Sequence, residues 1–95
     1  MPLTEEATSK FVQAGNIRVH YNEAGTGYPL ICLHGGGPGA SGWSNYRGNI
    51  EPLSQHFRVF LPDLPGFGKT DKPMIEGGRF AFYAKTLRDF MDQLG

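Results

Sequence analysis

At 95 residues, with nine acidic and nine basic side chains, the chain has room for one small domain and none of the charge excess of a polyelectrolyte. No basic stripe points to nucleic acid, and no apolar run approaches the length of a membrane span, so neither partner is expected. Cys32 is the single cysteine, which excludes a disulfide framework; Met1-Pro2-Leu3-Thr4-Glu5-Glu6 lacks the basic and apolar stretches of a secretion signal, and a cytoplasmic setting is expected.

Residues 1–8 are expected to form a loose arm. Phe11-Val12-Gln13 and Ile17-Arg18-Val19-His20-Tyr21 flank Ala14-Gly15-Asn16, which predicts a hairpin. Ile17, Val19 and Tyr21 alternate with Arg18, His20 and Asn22, so one face packs and the other meets solvent, with His20 on the solvated side. Leu30-Ile31-Cys32-Leu33 reads as a short strand buried on both faces, in the manner of parallel-sheet strands.

That strand runs straight into His34-Gly35-Gly36-Gly37-Pro38-Gly39-Ala40-Ser41-Gly42, with five glycines in the eight positions after His34. Such a loop leaves backbone N–H groups bare against an oxyanion or a phosphate. Beyond it, Trp43, Tyr46, Ile50 and Leu53 recur at helical spacing, with Ser41 as N-cap and Pro52 splitting the region into two short helices. Phe57-Arg58-Val59-Phe60-Leu61 predicts the next strand, and the 23 residues from His34 to His56 are enough for a crossover, so the two apolar strands should be parallel. A turn-rich loop follows from Pro62 to Pro73. Phe80, Tyr83, Ala84, Leu87, Phe90, Met91 and Leu94 then mark one face of a closing helix, with Gly95 at its C′ position. The last helix would need a further strand to take up its apolar face.

Several chemistries compete for the glycine loop. Gly37-Pro38-Gly39-Ala40-Ser41-Gly42 matches the dinucleotide fingerprint, and Asp63 lies 21 residues beyond Gly42. Against it, three extra residues lengthen the turn, Trp43 is bulky where the helix should pack closely, and Pro38 removes a donor. Gly68-Lys69-Thr70 ends like a triphosphate loop, but Asp63 stands where its first glycine belongs and would repel phosphate. Gly39-Ala40-Ser41-Gly42-Trp43 misses a nucleophile elbow by one position, and no G-x-S-x-G occurs, so Ser41 is read as a cap. Neither a metal nor a cofactor is expected. His20 and His56 have no nucleophile or orienting acid placed beside them by any motif.

Leu33-His34-Gly35-Gly36-Gly37-Pro38-Gly39, Trp43-Ser44-Asn45-Tyr46 and Leu61-Pro62-Asp63-Leu64-Pro65-Gly66-Phe67-Gly68-Lys69-Thr70-Asp71 together resemble the α/β-hydrolase superfamily. Within it the chain is most similar to the meta-cleavage-product hydrolases, which cleave a carbon–carbon bond in 2-hydroxy-6-oxo-dienoate acids during breakdown of aromatic rings. The resemblance implies an α/β fold: an antiparallel hairpin, then parallel strands with crossover helices. Residues 9–95 would be a partial domain with an incomplete sheet, ending before the nucleophile strand. It implies that the backbone amides of Gly36 and Gly37 serve an oxyanion hole, that Asn45 holds the polar end of the substrate, and that His34, Gly35, Pro38 and Gly39 shape the loop. It also places the nucleophilic serine, the acid, the base and the lid beyond Gly95. The chain is therefore expected to supply half an oxyanion hole and to be inactive alone, meeting its small-molecule substrate only in the complete enzyme. A non-catalytic fragment, a chain that pairs with a separate C-terminal partner or with itself, and a dinucleotide-binding module are the alternatives.

Overall fold

The computed structural model describes residues 3–35, 39–73 and 78–94. Strands β1 (Ser9–Ala14) and β2 (Ile17–Ala24) form the predicted hairpin around Gly15-Asn16, in register from Ser9 opposite Asn22 to Ala14 opposite Ile17. Strand β3 (Tyr28–Ile31) leads into the glycine loop, and β4 (Phe57–Pro62) lies between β2 and β3. It pairs antiparallel with β2 and parallel with β3, giving a four-stranded mixed sheet in the order β1-β2-β4-β3. The parallel pairing follows from the crossover, which contains helices α2 (Gly42–Tyr46) and α3 (Ile50–Ser54). Pro52 sits in the first turn of α3, where its missing N–H has no helical partner to lose.

Alternation along the strands divides the core into two layers. Ile17, Val19, Tyr21 and Phe60 pack with Phe90 of helix α4 (Arg79–Leu94) on one face. The Phe90 ring stands edge-on to Tyr21 at 5.1 Å and to Phe60 at 6.3 Å between centroids. Each such pair adds ~0.5–1.5 kcal/mol to simple burial. Val59 and Leu61 point to the opposite face, where Ile50, Trp43, Tyr46 and Leu53 cover them. Of the α4 stripe read from the sequence, Leu87, Phe90 and Leu94 join the first layer while Phe80, Ala84 and Met91 stay exposed; the Trp43–Leu53 stripe forms the second.

Three expectations are corrected. Residues 4–8 are not a loose arm: helix α1 (Glu5–Thr8), capped by the Thr4 hydroxyl, packs on β2, where the Asn22 side-chain amide donates to Glu5 O and Thr8 Oγ1. On the polar face of β2 only part meets solvent: Arg18 is exposed, but its neighbours on that face are not. His20 and Asn22 are fully buried, Asn22 beneath α1 and His20 beneath the loop that follows β4. Nor is the apolar strand before the glycine loop buried on both faces. Leu30, Ile31 and Cys32 are half-buried, while Tyr28 is 78% and Leu33 42% exposed, because β3 is the edge of the sheet.

Cys32 N–H donates to Phe60 O, so by the two-residue period the N–H and C=O of Ile31 face the outer edge, beside Pro29, a residue suited to a sheet edge. An unpaired apolar edge is a template for another strand. Exposed Phe80 (82%) and Met91 on α4 extend the apolar surface, and a net charge of zero offers no long-range repulsion. Self-association rising with concentration is expected in sedimentation velocity. A monomer across a hundred-fold dilution, with a sharp thermal transition, would show that the edge is harmless.

Candidate active-site loop

The glycine loop leaves the carboxyl end of β3, the end of a parallel strand where open α/β sheets place their ligands. His34 is the first residue to fix it. The buried ring lies edge-on to Phe67, and its Nε2 accepts from Leu64 N–H at 3.0 Å. A backbone amide can only donate, so the ring proton is on Nδ1, which donates to Gly35 O at 2.6 Å. His34 thereby ties the start of the loop to the segment after β4.

Asn45 holds both ends of the loop. Its Oδ1 accepts from Gly35 N–H at 3.3 Å, and its Nδ2 donates to Ser41 O at 3.3 Å. Ser41 is the N-cap of α2 in a reciprocal capping box: its Oγ accepts from Ser44 N–H at 3.0 Å while Ser44 Oγ accepts from Ser41 N–H at 2.9 Å. A hydroxyl used in this way supports the reading of Ser41 as a cap. Gly39, exposed and with φ +77°, is also in place. Gly36, Gly37 and Pro38 lie outside the described residues.

Asp63, at the end of β4, is the residue whose role the sequence hid. It is 2% exposed. Its Oδ1 accepts from Gly42 N–H at 2.8 Å, and its Oδ2 accepts from Lys69 N–H at 3.1 Å and from His20 Nδ1 at 2.8 Å. Burial pushes this carboxyl's pKa up, but the hydrogen bonds from His20, Gly42 and Lys69 outweigh it and hold the pKa below the ordinary carboxylate range. Two glycines make the approach possible. A Cβ on Gly42 would lie 2.4 Å from Leu61 O, and one on Gly68, where φ is +52°, would lie 2.1 Å from Asp63 Oδ2. Thr70 closes the cluster: its hydroxyl donates to Asp63 O and accepts from His20 N–H.

His20 therefore does have a hydroxyl and an acid beside it, contrary to expectation. Ser9 Oγ lies 2.7 Å from Nε2, opposite the Asp63 contact at Nδ1. No motif announced this because the partners come from β1 and from 43 residues downstream. A buried acid in a Pro-Asp-Leu-Pro turn at a strand end was the available signal.

The same contacts bear on the dinucleotide alternative. An acid that reads a ribose must point at its ligand, whereas both Asp63 oxygens are taken up by the protein. Titration with NADH by calorimetry is expected to give no saturable heat; micromolar binding lost in Gly39→Val would restore that reading.

Beside His34 lies a groove of about 560 Å³, walled by Leu33, Leu64, Phe67, Phe80 and Tyr83. Its lining is mainly apolar, with Arg79 also at its wall, and it sits between the carboxyl ends of β3 and β4 and the start of α4.

A family model described as alpha/beta hydrolase fold matches residues 28–95. The chain belongs to the α/β-hydrolase family. As such it is similar to the meta-cleavage hydrolases: it is 48% identical to the 2-hydroxy-6-oxo-6-phenylhexa-2,4-dienoate hydrolase of Burkholderia cepacia over 98% of this chain and 35% of that protein. It is 46% identical to the 2-hydroxy-6-oxononadienedioate/2-hydroxy-6-oxononatrienedioate hydrolase of Comamonas testosteroni, again over 98% and 35%. Among solved structures, a serine hydrolase involved in carbazole degradation superposes with a TM-score of 0.86 at 42% identity, over 92% of this chain and 33% of that one. A meta-cleavage product hydrolase from Pseudomonas fluorescens IP01 superposes with a TM-score of 0.84 at 36% identity, over 90% and 31%. The chain spans about a third of the length of the curated relatives it matches. Among its described residues, no helix is long and apolar enough to cross a membrane.

Proposed function

We propose that this α/β-hydrolase chain is the N-terminal part of a cytoplasmic serine hydrolase of the meta-cleavage-product type, and that it supplies the oxyanion loop and one wall of the substrate pocket. The observation that carries this reading is the glycine loop, pinned at both ends by Asn45, His34 and Asp63 and set beside an apolar groove. Attack on the keto carbon of a 2-hydroxy-6-oxo-dienoate places negative charge on the carbonyl oxygen. A fixed amide at Gly36, with Gly37 beside it, stabilises that charge by ~2.7–4 kcal/mol in the transition state. Asn45, exposed at the loop, then holds the polar end of the substrate as well as the loop itself.

The nucleophile, its acid and base, the second oxyanion amide and the lid come from the remaining two thirds of the enzyme, carried on the same polypeptide or on a complementing chain. A strand of that portion would pair with the outer edge of β3. The reaction needs no metal or cofactor.

Incubated alone with 2-hydroxy-6-oxo-6-phenylhexa-2,4-dienoate, the chain is expected to give the buffer rate. A rate that survives repurification and falls in Ser41→Ala or Ser9→Ala would contradict the reading and give one of these serines a catalytic role.

A further inference from the structure

We infer that His20 is a positioning residue for the glycine loop, acting through Asp63. The row Ser9–His20–Asp63 has the hydrogen-bond order of a hydrolytic triad, at 2.7 and 2.8 Å. It differs in what the acid does. Asp63 holds the amides of Gly42 and Lys69, on separate oxygens, in addition to His20. Gly42 is the first residue of α2, the helix whose Asn45 grips both ends of the glycine loop. The plane of the Asp63 carboxylate therefore sets where the loop ends and α2 begins.

A carboxylate turns easily about its last torsion, which is broad and roughly two-fold. The ring of His20 removes that freedom. Asp63 is an anion and only accepts, so the ring N–H that faces it is Nδ1–H, while Nε2 lies 2.7 Å from the Ser9 hydroxyl. Both side chains are almost completely buried, and neither can exchange its partner for water. The order of transmission runs from His20 on β2, through Asp63 at the end of β4, to Gly42. The hairpin thus fixes a loop with which it shares no strand pairing. The functional meaning of this device rests on the reading of the loop as an oxyanion loop; the device itself is testable without turnover.

Amide hydrogen exchange on the dilute chain, resolved to single residues by mass spectrometry, tests it. His20→Leu keeps the volume and removes the donor. Exchange at Gly42 and Lys69 should rise about tenfold or more, as loss of a charge-assisted hydrogen bond requires. The β4 amides should change by less than about threefold, since they report wider opening of the sheet. His20→Asn presents an amide N–H near the place of Nδ1–H and should restore slow exchange at both residues. Ser9→Ala should leave them close to wild type.

Unchanged exchange at Gly42 and Lys69 in His20→Leu would overturn the inference, as would an equal rise throughout β4. If His20→Leu fails to fold, His20→Asn decides: retained protection supports the role, and selective loss at Gly42 and Lys69 contradicts it. In the complete enzyme the same Leu variant should lower kcat with little change in KM. Failure of the hydrolase reading would remove that last result and leave the exchange pattern intact.

Discussion

Asp63→Ala is expected to leave the chain without a cooperative folded state at room temperature. The substitution strands the His20 ring N–H and the amides of Gly42 and Lys69 in the interior. Loss of the acceptor beside the buried His20 ring N–H costs about 1–3 kcal/mol. Each further orphaned donor adds ~1–3 kcal/mol. Ordinary domains have a total stability of only about 5–15 kcal/mol, and a chain of this size falls at the low end. Far-UV circular dichroism in a urea series reads the outcome; an unfolding free energy within about 1 kcal/mol of wild type would contradict it. The same carboxylate governs acid sensitivity. Its folded pKa lies below its unfolded value, so the unfolded chain binds more protons in that window. Its contribution is fully present above the unfolded value of about 3.9 and is lost as pH falls through the folded pKa. Glu23 shifts in the same direction: burial pushes its pKa up, and hydrogen bonds from Arg58 and Lys10 outweigh this. Those partners are exposed and screened, so Asp63 should dominate the acid limb.

The second large effect is expected at Gly36, in the complete enzyme. Gly36→Pro removes the backbone donor proposed to meet the oxyanion. If that amide meets the oxyanion, kcat should fall by about 100- to 1,000-fold, the usual loss for one such donor. KM should hold nearly constant, because the interaction strengthens only as the charge develops. Ser41→Ala removes a helix cap, which costs ~0.5–2 kcal/mol of stability, and should leave kcat within a few-fold. Equal losses from both variants would mean that the loop merely needs to be folded.

What could be read ahead of the structure follows from which forces are local. The hairpin and α4 were legible because their apolar periods reflect packing on one face, and β4 because its continuous apolar run is buried on both. The Ser41 cap was legible because its partner, Ser44, lies three residues away. The environment of β2 was not. His20 and Asn22 carry the polar half of a clean alternation, and alternation distinguishes the two faces without saying what lies against either. Here α1 and the loop after β4 cover the second face, through side chains 14 to 50 residues distant. Strand β3 erred in the opposite sense. Its composition suits a central strand, and among the described residues it has a neighbour on one side only. Asp63 was seen as a possible ribose ligand because its spacing from Gly42 fits that role. The same spacing brings its carboxylate onto the Gly42 amide instead.

The most direct test of the central claim is reconstitution. The chain is mixed with, or continued into, the C-terminal two thirds of the Burkholderia cepacia relative, and loss of the phenyl dienoate is followed by absorbance. A one-to-one complex is expected that unfolds cooperatively and cleaves the dienoate at a rate neither part shows alone, sensitive to Gly36→Pro and tolerant of Ser41→Ala. Turnover by the isolated chain, or a stable reconstituted complex that is indifferent to Gly36→Pro, would contradict it.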